Sequence, residues 1–122
     1  DVRKGRELKS LLMEFNVNSK KEIGTIIKSK LNKYVLNYEP YKYLASKSPI
    51  LSEILPLAYN LYNLCEITIK IIDLRESNRK ISKNDFTEYS NILQDAKKSF
   101  GQVEIVFISE VELLLNSLNP PE

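Results

Sequence analysis

Apolar residues recur every three or four positions along most of this chain, the period of a helix face rather than of a strand. The first run places Leu8, Leu11, Leu12 and Phe15 on one side of a short helix over about residues 3–15. Asn16, Val17 and Asn18 break it, and Ser19-Lys20-Lys21-Glu22 has the form of a capping box, so a second helix is predicted to open there. Its core face reads Ile23, Ile26, Ile27, Leu31, Tyr34, Tyr38, Tyr41 and Leu44. Pro40 lacks the N–H that an interior turn needs, which predicts a kink or a division near Glu39.

Ser48 and Pro49 form the next start signal, a serine N-cap followed by a proline at the first helical position. The third helix then carries Ile50, Ile54, Leu57, Ala58, Leu61, Leu64, Cys65, Thr68, Ile71 and Ile72, a face wide enough to meet neighbours on two sides. Pro56 falls in its second turn and is expected to bend it. After the polar stretch from Arg75 to Lys80, Ser82 opens a fourth helix along Phe86, Tyr89, Leu93, Ala96, Phe100, Val103, Val106 or Phe107, Val111, Leu114 and Leu118. That helix would exceed thirty residues unless Gly101 bends it, and Asn119-Pro120-Pro121-Glu122 should stop it. β-branched alternation in residues 66–72 and 103–108 is flanked by helical periodicity without turn residues, so both segments read as helix.

These elements predict an all-α protein, an up-and-down bundle of three long helices plus a short N-terminal helix. The 122 residues fit one domain over 1–122, and three glycines with five prolines leave few of the turns an all-β chain would need. No run approaches the roughly 20 apolar residues of a membrane span. A first residue other than methionine and a charged start suggest a module of a larger polypeptide.

Chemistry is sparse. The chain has no histidine, one cysteine, no glycine-rich phosphate loop and no serine-centred elbow. Cys65, set among Leu61, Leu64 and Ile69, reads as a small buried apolar residue. Glu104, Glu110 and Glu112 do not share one helix face, and a glycosidase pair must face one cleft. No catalytic residue, metal ligand or cofactor is therefore expected.

Charge is unevenly spread. Residues 1–47 hold eleven basic against five acidic side chains, and residues 48–122 seven against eleven. Seven lysines lie on or beside the second helix, interleaved with tyrosines. A nucleic-acid surface has that look, but a net charge of +2 lacks the basic balance usual in such domains. A basic helix packed beside the acidic fourth helix accounts for the asymmetry as well.

The order of signals resembles the helical-bundle region that follows the catalytic barrel in bacterial family 84 glycoside hydrolases, the hyaluronidase and O-GlcNAcase group. The residues carrying the likeness are Ser19 to Glu22, Tyr34, Leu44 ahead of Pro49, the apolar run from Ile54 to Leu64, Ser99-Phe100, and Phe107-Ile108-Ser109, within a span of Leu8 to Leu118. The resemblance implies a secreted or surface enzyme acting on N-acetylglucosaminides, of which this chain is a non-catalytic support. The family's adjacent catalytic aspartates lie in its barrel, and no Asp-Asp pair occurs here. Two surfaces are expected to meet a partner: an exposed apolar strip of Leu8, Leu11, Leu12 and Phe15 docking a sister domain, or, if the chain is instead a free-standing interaction module, the second helix presenting Lys30, Lys33 and Tyr34 to a protein or nucleic acid.

Overall fold

The computed structural model describes residues 2–118, with side chains from residue 6 onward apart from those of residues 102 and 103. The protein is an all-α bundle of six helices: α1 Val2–Asn18, α2 Lys21–Ala45, α3 Pro49–Glu53, α4 Leu55–Glu76, α5 Lys83–Ser99 and α6 Gln102–Ser117. No described residue is in a strand, and both β-branched segments are helical as expected. The C-terminal stop at Asn119 to Glu122 lies outside the described residues.

Helix α2 packs against α1 and, most extensively, along α4; α4 meets α5 and α6; α5 and α6 pair; and α6 returns to α1, closing a ring. The wide apolar face predicted for the third helix thus does meet neighbours on two sides. The core within the ring holds Leu12, Phe15, Ile27, Leu31, Ile71, Ile72, Leu93, Ile108, Val111, Leu114 and Leu115, each almost wholly removed from water. Burial of such a side chain contributes roughly 1.5–3 kcal/mol. Ile81, in the connection from α4 to α5, turns into the same core. The buried Thr68 hydroxyl donates to the Leu64 carbonyl at 2.7 Å, so it leaves no polar atom unsatisfied.

Start and stop signals fared unevenly. Ser48 caps α3 by accepting from the Leu51 N–H at 3.4 Å, and Ser82 caps α5 by accepting from the Asp85 N–H at 3.1 Å. The capping box at Ser19 does not form. Ser19 instead takes a left-handed conformation, φ 52°, its N–H donates to the Phe15 carbonyl at 2.7 Å, and it closes the end of α1. Its hydroxyl accepts from Arg75 Nε at 2.9 Å, so it is engaged elsewhere and α2 starts at Lys20 without a side-chain cap.

Helix lengths also depart from the spacing. α1 runs to Asn18 rather than Phe15, and α2 continues unbroken through Pro40. Pro40 and Leu36 are both exposed, so the carbonyl that loses its bond faces outward, where the loss costs least. The predicted third helix is divided at Ile54, which leaves the helical region at φ −98° and ψ 2° and lets Pro56 sit in the first turn of α4, where no N–H is needed. The predicted fourth helix is two. Phe100 and Gly101 are extended, and α6 folds back on α5, held by Lys97 ion-paired with Glu112 and by Gln94 donating to Glu112 at 3.0 Å.

One consequence places the functional surface. Buried residues of α2 stop at Leu31 except for Ala45, and those of α4 begin only at Leu64. Residues 32–63 between them form an arm, a hairpin of α2 and α4 with α3 at its turn, tied to the bundle at its base by Tyr34, Val35 and Leu61, which pack on the core, and by Asn60 Nδ2 donating to the Ser99 hydroxyl at 3.0 Å. Its seam is aromatic: Tyr38 stacks on Tyr62 with ring centroids 4.6 Å apart, Tyr59 lies 5.9 Å from Tyr38, and Tyr41 donates to the Leu51 carbonyl at 3.0 Å.

Candidate docking surface

The strip expected to dock a sister domain is not a surface. Leu12 and Phe15 are 0% exposed, Leu8 is buried and Leu11 packs partly buried against the same core. α1 sits between α2 and α6, and both sides of the ring need its apolar face. Sequence spacing identified the face correctly and assigned it the wrong partner.

Lys30, Lys33 and Tyr34 do come together, with Leu8, Glu7 and Asn37, around a groove of about 230 Å³ between α1 and α2. Lys30 bridges to Glu7 at 2.6 Å and Tyr34 packs partly buried on the core, so the groove is largely committed to holding α1 on α2. Lys28 is engaged too, at 2.7 Å from Asp73 and 3.0 Å from Glu76 of α4. Burial works against its charge, but hydrogen bonds and attraction to the two carboxylates outweigh that and raise its pKa above the usual lysine value. Two lysines of the basic helix, Lys28 and Lys30, are thus paired with carboxylates of α4 and α1. Among the described residues that helix has no packing contact with α5 or α6, contrary to the pairing expected from charge.

Groups that do chemistry stay dispersed. Burial pushes the Cys65 thiol up to about 12, which keeps it protonated and unreactive at neutral pH. Glu104 is exposed, Glu110 accepts from Asn16 Nδ2 at 3.1 Å, and Glu112 is taken up by Lys97 and Gln94. A second cleft, about 480 Å³, lies at the opposite end and is lined by Ser19, Lys21, Asp73, Leu74, Glu76, Ser77 and Arg79. Its two carboxylates belong to the Lys28 cluster. No group of three or more His, Cys, Asp or Glu side chains suited to a metal occurs among the described residues.

What the arm offers instead is exposed apolar surface. Ile50 is 78% exposed, Leu36 66%, Tyr43 63%, Leu44 54%, Ile54 51% and Leu57 45%. Position on the arm follows from helix geometry. The Tyr38–Tyr62 stack marks the seam, and stepping about 100° per residue from each ring carries Leu44 on α2 and Leu57 on α4 to one side, with Ile54 at the break just ahead of α4. Leu36, Pro40 and Tyr43 share the outer side of α2, and the Ile50-Ile54-Leu57 spacing continues across α3. Sequence reading placed Leu44, Ile50, Ile54 and Leu57 in the core. Two signals pointed outward: the apolar face was broader than one contact needs, and Pro56 marked a break that detaches α3 from the core helix.

No helix is long and apolar enough to cross a membrane among the described residues. No family model, curated protein or solved structure matches this chain.

Proposed function

We propose that this chain is a non-catalytic helical support module that joins protein surfaces through the apolar side of its α2–α4 arm. One observation carries the reading: six large apolar side chains, from Leu36 to Leu57, are roughly half or more exposed around the turn of the α2–α4 hairpin. Patches of this kind mark contact sites, because leaving them in water is unfavourable and favours association. The dispersed carboxylates and the protonated, buried thiol support a non-catalytic role. Lys28 and Lys30 are spent within the fold, which weakens a nucleic-acid surface on α2.

The finer reading makes the module part of a secreted β-N-acetylglucosaminidase-type enzyme, supporting its barrel. It rests on the resemblance to the family 84 bundle region, and a barrel with adjacent aspartates encoded in the same reading frame is what it requires.

Photocrosslinking tests the docking surface. A benzoylphenylalanine replacing Ile54, in cells that make the protein, is expected to give a defined covalent adduct. The same residue replacing Asn91, exposed on α5, should give none. Absence of a defined adduct from position 54, or equal adducts from both, would refute the assignment.

A further inference from the structure

We propose that a small basic pocket, where the end of α4 and its connection to α5 meet the end of α6, binds a single phosphate group. It lies at the other end of α4 from the hairpin turn and does not depend on the docking reading.

The pocket measures about 210 Å³, and its polar lining is Arg75, Asn78, Arg79, Lys80 and Ser117, with no acidic side chain. Clefts for drug-sized ligands run from about 300 to 1,000 Å³, so this one suits a smaller group.

Local structure holds the lining in place. Asn78 takes a left-handed conformation, φ 55°, and the Arg79 N–H donates to the Leu74 carbonyl at 3.0 Å. That turn ends α4 and folds Arg79 and Lys80 back beside Arg75. Ile81, buried in the core, pins the next step of the chain. Arg75 is half-buried, and its Nε donates to Ser19 Oγ at 2.9 Å and its Nη1 to Ser117 Oγ at 3.0 Å. Two hydroxyls thus fix the plane of the guanidinium and leave three of its five N–H donors without a partner among the described residues.

Charge selects the ligand. Lys28, Lys30 and Lys97, half-buried like Arg75, each meet a carboxylate. Arg75, Arg79 and Lys80 join no ion pair among the described residues. Asp73 and Glu76 line the adjoining cleft, which shares Arg79, and both are held by Lys28. The C-termini of α4 and α6 also face this end, and two helix ends carry together about one negative charge. Three cations exceed that by about two positive charges. A phosphate monoester, with a charge of about −1.5 to −2 at neutral pH, matches the excess, and its oxygens fit an arginine fork.

Inorganic phosphate titrated into the isotope-labelled chain at neutral pH, with ionic strength held constant by sodium chloride, is the test. Amide resonances of residues 75–80 and 117–118 are expected to shift and saturate with a Kd of about 1 mM. Arg79→Gln and Lys80→Gln should each weaken binding roughly five- to tenfold. Both side chains are exposed, so the variants should keep the parent melting curve. Lys47→Gln, which removes the same charge at the hairpin turn, should bind as the parent does. No saturable shift, the same shifts with chloride alone, or equal weakening by Lys47→Gln would overturn the proposal. Vesicles of phosphatidylcholine containing phosphatidic acid identify the source. Cosedimentation lost in the Arg79→Gln and Lys80→Gln variants would support the site with a lipid headgroup as its ligand, and phosphate binding without cosedimentation would support it with a soluble phosphate monoester.

Discussion

Phe15→Ala is expected to lower the unfolding free energy by about 3–5 kcal/mol, the cost of removing a buried aromatic ring and leaving a cavity. Phe15 is 0% exposed, sits near the end of α1 and lies beside Gly24 of α2. Its carbonyl also accepts the Ser19 N–H that ends α1. A domain of this size has roughly 5–15 kcal/mol of total stability, and the melting temperature should fall by roughly 10–20 °C. The outcome separates two views of α1. If Phe15 belonged to a surface strip, truncation would leave the melt almost unchanged.

Gly24→Leu should cost about 2–3 kcal/mol, by overpacking. The direction is informative, since leucine is the better helix former by nearly 1 kcal/mol, and at an open helix position the same change would stabilise. Gly24 is open on no side. A Cβ there would overlap Glu76 Oε1 and stand 3.0 Å from Phe15 Cε1. Glu76 is free to swing only by leaving Lys28, whose Nζ holds its Oε1 at 3.0 Å. Glycine at this position thus lets α1, α2 and α4 approach where the Lys28–Asp73–Glu76 cluster ties two of them together. Chemical denaturation of the variant checks the sign, and a midpoint at or above the parent's would mean that the three helices do not converge there.

Much of the fold was legible because it depends on spacing. Apolar residues three and four apart identified the buried faces of α1 and α5 and of the inner halves of α2 and α4, though Ile26, Leu44, Ile50, Ile54 and Leu57, read the same way, are exposed, and serines at Ser48 and Ser82 marked two starts that the backbone uses. What failed depended on contacts far apart in sequence. Ser19 has a sequence partner in Glu22 and a spatial one in Arg75, and the spatial one prevails because it ties the end of α1 to α4. Phe100 and Gly101 contain no strong stop, yet the chain reverses there because α6 buries more surface beside α1 and α5 than a straight extension would.

The candidate surface was less legible, and for one reason. Periodicity says that a residue belongs to an apolar face but not whether another helix covers that face. Phe15 and Ile54 look alike in the sequence. The first is enclosed between α2 and α6, and the second lies on an arm longer than its neighbours. Lys30 and Tyr34, expected to face a partner, instead line a groove against α1, where Lys30 pairs with Glu7.

The central claim is that the core ends near Leu31 and Leu64 and that the arm beyond it is a docking-competent hairpin tied to the bundle at its base. Amide hydrogen exchange resolved along the chain tests it most directly. In dilute protein, amides of residues 36–60 are predicted to exchange several orders of magnitude faster than those of 64–72, because few buried contacts oppose local opening of the arm. Arm amides as slow as those of Leu64 to Ile72 would contradict the account.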